Sequence, residues 1–103
     1  MTYPAETPFR PGASQNITAG AASAATALGA FPVAGVRSVR LVTGAEAVRV
    51  AFGSSTATAT ATSMLVLANS VAVFSVDPGH THIAMLRNAA ADSICNVTNG
   101  AGI

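Results

Sequence analysis

The chain has 103 residues, a formal net charge of +1, and only 9% charged residues against 50% hydrophobic ones. Soluble domains usually carry about 25% charge, so little of this surface is ionic, and so weak a net charge argues against the clustered basic face of a general nucleic-acid binder. Four carboxylates, five arginines, two histidines and one cysteine, with no lysine or tryptophan, leave few groups for catalysis.

The length fits one domain. Small domains bury a smaller share of their surface than large ones, and the aromatic side chains here are few: Tyr3, Phe9, Phe31, Phe52 and Phe74. A core of small side chains gains from association, which removes further apolar area at about 25 cal/mol per Å². Cys95 stands alone, so no internal disulfide can form and a stapled secreted scaffold is not indicated. The opening residues lack the basic patch and apolar stretch of a signal peptide. The uncharged stretch 11–36 is long enough for a membrane span, but Ser14, Gln15, Asn16, Thr18, Ser23, Thr26 and Pro32 make it read as strand and loop.

Residues 1–14 carry Pro4, Pro8 and Pro11, which remove backbone donors and bias their predecessors toward extended geometry. They read as an extended arm ahead of a β domain spanning 15–103, with a frayed terminus as the alternative. On such an arm Tyr3 and Phe9 are apolar anchors for a partner, and Arg10 is a cation for a partner carboxylate. Residues 15–19 and 22–28 are short and rich in Thr and Ala; propensity leaves a helix over 21–30 equally open. Residues 36–43 form a strand of β-branched character. Thr43-Gly44-Ala45 is a turn, and in 46–53 Val48, Val50 and Phe52 alternate with Ala47, Arg49 and Ala51, the period of a half-buried strand. Two strands joined by a short Gly-containing link read as a hairpin. Arg40 and Arg49 stand on these strands, either solvated or turned toward acidic residues of a partner chain.

The Thr/Ala alternation over 54–63 has nothing large to bury and reads as a loop or a weak edge. Strands follow at 64–67 and 70–76, split by Ala68-Asn69. Asp77-Pro78-Gly79 is a turn with a mechanism, since proline presets φ and glycine supplies positive φ. A strand at 82–87, a turn at 88–92 and a last strand at 93–98 complete an all-β pattern of short, regularly spaced strands, that of a sandwich or barrel. Strand parity turns Val48, Val50, Phe52, Phe74, Val76 and Ile83 inward.

His80-Thr81-His82 is the one chemically suggestive pair, because residues i and i+2 on a strand share a face. A metal cupin uses such a pair with a carboxylate a few residues on; positions 83–87 here are Ile, Ala, Met, Leu and Arg, so no metal site is expected. There is no G-x-S-x-G elbow and no glycine-rich phosphate loop, hence no catalytic residue or cofactor site to name. Cys95, alternating with Val97, reads as a small buried hydrophobe.

The run from Val36 through "Val-Ala-Phe-Gly" at 50–53, with "Phe-Ser-Val-Asp-Pro-Gly" at 74–79 and "Thr-His-Ile-Ala" at 81–84, resembles small virion proteins of tailed bacteriophages. These are the decoration, or cement, proteins bound outside an icosahedral head. The resemblance covers about half the chain and lies in β architecture rather than in chemical motifs. It implies a single β-sandwich of jelly-roll kind that forms a homo-oligomer, trimer before dimer. It also implies a major capsid protein as partner, a place on the outer surface of the virion after synthesis in the bacterial host cytoplasm, and no enzymatic activity. The alternatives are the base of a head fibre, a tail component, or a carbohydrate-binding sandwich. The last ordinarily presents aromatic platforms, for which this chain has only Tyr3 and no tryptophan.

Overall fold

The computed structural model describes residues 9–33 and 35–101, and they form an all-β sandwich. Eight strands run in order: β1 (Arg10–Ala19), β2 (Ala24–Ala27), β3 (Ser38–Val42), β4 (Val48–Gly53), β5 (Met64–Val66), β6 (Val71–Ser75), β7 (His82–Arg87) and β8 (Ser93–Ala101). Sheet A has the order β1-β8-β3-β6 and sheet B the order β2-β7-β4-β5, every pairing antiparallel. First pairs with last, second with seventh, third with sixth and fourth with fifth. That nested winding over two four-stranded sheets is a jelly roll.

The core lies between the sheets. β3 turns Val39 and Leu41 into it, β4 Val48 and Val50, β7 Ile83 and Met85, and β8 Cys95 and Val97. The expected parity holds: Val48, Val50, Val76 and Ile83 are buried. Phe52 and Phe74 point the same way but are half-buried, packed edge to face with ring centroids 5.4 Å apart. One comes from each sheet, near the side of the sandwich where β5 and β6 run.

Three expectations change. The strands at 36–43 and 46–53 are not a hairpin: β3 belongs to sheet A and β4 to sheet B. The link between them is a corner, and its backbone bonds to other segments, Asn69 N–H donating to the Gly44 carbonyl and Asn88 N–H to that of Ala47. Alternation reports which face of a strand is buried, not which strand lies beside it. Gly44 lets the corner close on β8, because a Cβ there would stand 2.6 Å from the Ile94 carbonyl oxygen. Second, residues 21–30 form no helix. β2 pairs with β7 over its four residues, so an alanine-rich segment takes the conformation its neighbour can hydrogen-bond.

Third, part of the segment expected as an arm over 1–14 is strand. Arg10 to Ser14 already belong to β1, with Arg10 opposite Ala101 and Pro11 opposite Gly100 on the domain's own β8. Pro11 is tolerated because β1 is an edge strand and its register shifts between Pro11 and Ser14, the places where sheets accept proline. Residues 1–8, Tyr3 among them, lie outside the described residues.

Residues 54–63 are a loop held by hydroxyls, its own and that of Ser23. Ser54 and Thr56 bond at 3.0 Å, Ser63 Oγ accepts from Thr60 N–H at 2.9 Å, and Ser23 Oγ holds the Ala59 N–H at 2.8 Å. At the other end of the chain the buried Asn99 amide donates to the Leu28 and Ala30 carbonyls. It thereby ties the loop after β2 to β8.

Candidate functional site

The outer face of sheet A is built by strand alternation. Because Leu41 and Val97 point inward, Arg40 and Thr98 point out, and the register sets Ser14 opposite Thr98, Thr98 opposite Arg40, and Arg40 opposite Val73. One row of side chains thus crosses all four strands. Phe9 and Pro11, entering β1, join Ser14, Thr98 and Arg40 around a hollow of about 350 Å³. Phe9 is held there by Gly100, where any Cβ would collide with the phenyl ring.

The hollow has an apolar wall, a hydroxyl pair and a cation. Thr98 donates to Asn96 Oδ1 at 3.1 Å, so in its 2.7 Å bond with Ser14 it accepts; Asn96 Nδ2 in turn donates to Asn16 Oδ1 at 3.1 Å. This chain of polar side chains holds Thr98 in place beside the guanidinium. Arg40 is half-buried and has no ion pair or side-chain hydrogen bond among the described residues. A half-buried guanidinium with no ion pair among the described residues suits an acidic group, since charge-assisted bonds to arginine are strong and geometrically specific.

Of the residues read from sequence as partner-binding, Phe9 and Arg40 come together here. Arg10 is exposed at the start of β1 but does not line the hollow. Arg49 lies on the outer face of sheet B, away from Arg40, and its guanidinium serves its own chain: Nε donates to Asn88 Oδ1 at 3.1 Å and Nη1 to the Ser63 carbonyl at 3.0 Å. Arg37, just before β3, stacks 4.3 Å from the Phe31 ring centroid and donates to the His80 carbonyl at 3.0 Å. Three arginines close in sequence therefore serve three separate places. Ser14 and Thr98 escaped the sequence reading, because only the register of β1 and β3 on β8 brings them to Arg40.

The other candidates are placed as follows. His82 Nδ1 lies 2.8 Å from the Thr81 hydroxyl, and the His80 N–H closes the turn onto the Asp77 carbonyl. Among the described residues no three His, Cys, Asp or Glu side chains are grouped to hold a metal ion. Cys95 is fully buried on β8. No helix of the described residues is long and apolar enough to cross a membrane.

Exposed apolar side chains lie on both sheets: Met64, Leu65 and Leu67 on and just after β5, Val71 and Val73 on β6, Ile94 on the outer face of β8, and Val36 ahead of β3. Protein-family models, curated proteins and solved structures offer no match to this chain. The jelly roll itself serves capsid proteins, lectins and cupins alike, so function has to be argued from the surface.

Proposed function

We propose that this chain is a structural virion protein that decorates and stabilises the head of a tailed bacteriophage. In this reading it acts by binding, not catalysis, clamping adjacent major capsid subunits from outside after synthesis in the host cytoplasm, and it also contacts its own copies. The observation that carries the reading is the Phe9–Arg40 hollow on the open face of an ion-poor jelly roll. A domain with 9% charged residues gains from having its apolar surface covered by neighbours. The hollow supplies what a lattice contact needs: an apolar anchor to bury, and a cation to fix register on an acidic side chain.

Phe9, where residues 1–8 join the described domain in sequence, lines that hollow. Their prolines lower the entropy lost on ordering. Removing residues 1–8 is expected to leave the far-ultraviolet circular dichroism of the domain unchanged while weakening co-sedimentation with empty heads. Truncated protein that binds heads as tightly as the full chain would remove the arm from the account. A full chain that binds no heads would remove the account itself.

A further inference from the structure

Four strands of this sandwich are edges, and edge strands normally carry devices that stop them pairing with other chains. β1 has Pro11 and a register shift, and the Gln15 side chain reaches across to the Ala27 carbonyl at the end of β2. β2 and β5 are four and three residues long. β6 has none of these: Val71-Ala72-Val73-Phe74-Ser75 contains no charge and no proline, and it pairs with β3 without a register shift.

Its open side can be read from its closed side. Thr43 N–H donates to the Ser70 carbonyl and Val76 N–H to that of Arg37. Antiparallel pairs alternate between bonded and non-bonded, so Ser70, Ala72, Phe74 and Val76 bond toward β3. Val71, Val73 and Ser75 therefore aim their N–H and C=O groups away from the sandwich, and nothing among the described residues takes them.

We infer that β6 pairs with β6 of a second copy, antiparallel about Val73, giving a two-fold dimer with one continuous eight-stranded sheet. In that register all three outward residues are satisfied at once. Val73 exchanges both bonds with the partner's Val73, and Val71 does so with the partner's Ser75. On the inner face Ala72 opposes the partner's Phe74, small against large. Asp77, the nearest acid in sequence, falls opposite the partner's Asn69, so no like charges meet. Because the other edges are guarded or short, like pairs with like, which is the self-complementary contact a two-fold axis requires.

A stable interface buries about 800 Å² on each partner, more than five residues of strand supply. β5 follows β4 onto the same side of the sandwich and joins β6 through residues 67–70, so the exposed Met64, Leu65 and Leu67 extend the same rim. The half-buried Phe52–Phe74 pair gains cover there too. On the function proposed above, this arrangement sets both Arg40 hollows on one side of the dimer.

The test needs no phage heads, so its failure is separable from failure of the virion reading. Light scattering on the full chain at micromolar concentration is expected to give twice the 10.1 kDa monomer mass. Val73→Pro removes the central outward N–H without removing a bond to β3, and edge strands tolerate proline. It should yield a monomer with unchanged circular dichroism. Val73→Lys, which sets like charges directly opposite across the axis, should raise the dimer dissociation constant by about tenfold or more, and it decides the matter should the proline variant unfold. A wild-type monomer, a trimer, or a V73K variant as dimeric as the wild type would overturn the inference.

Discussion

Leu41→Ala is expected to lower the unfolding free energy by about 2–5 kcal/mol, the range for truncating a buried leucine. Leu41 is fully buried in the middle of β3, an interior strand of sheet A, between Ala72 of β6 and Val97 of β8. Its neighbours are fixed by ladders on both sides, so the sheet has little freedom to collapse into the space left behind. Urea unfolding followed by circular dichroism measures the loss. A loss under about 1 kcal/mol would mean that β3 turns its other face inward. Phe52→Ala should fall below the ~3–5 kcal/mol of a fully enclosed phenylalanine, because Phe52 is only half-buried.

Arg40→Glu is expected to weaken attachment to heads by about 30-fold or more, at no large cost to folding. Removing one partner of a buried interfacial charge pair costs about 2–5 kcal/mol, and 1.4 kcal/mol is tenfold. Reversal also places a carboxylate where the account puts one on the capsid side. Because Arg40 makes no side-chain hydrogen bond or ion pair among the described residues, its loss deprives no neighbour in the sandwich of a partner. Arg49→Glu supplies the contrast. It breaks bonds to Asn88 and Ser63 on the other sheet, so it should lower thermal stability and leave head binding near that of the full chain. Equal binding by the R40E variant and the full chain would separate the hollow from attachment.

How much of this was legible in the chain follows from what each pattern encodes. Period-2 alternation reports burial, so Val48, Val50, Val76 and Ile83 were readable as core and the all-β class with them. The Asp77-Pro78-Gly79 turn was readable because proline presets φ locally, and His80 N–H closes it onto the Asp77 carbonyl; the positive φ expected of Gly79 is not taken there, and Gly29 and Gly35 take it instead. Neighbour choice was not. Gly44 suits a hairpin and a sheet-crossing corner equally well, and what decides is its fit beneath the Ile94 carbonyl, fifty residues away. The start of β1 was hidden by Pro11, which looks like a breaker until it is known to sit on an edge. Likewise Phe9 and Arg40 could each be singled out as partner-binding residues. That they share one hollow depends on Ser14 and Thr98, and so on the register of β8 between β1 and β3.

A three-dimensional reconstruction of the particles made in the host that carries this gene tests the central claim most directly. The account predicts density for a two-sheet domain on the outside of the head, repeated at lattice symmetry positions, with the Phe9–Arg40 face of sheet A against the capsid. Particles lacking this density, or carrying it only on the tail or inside the head, would contradict it.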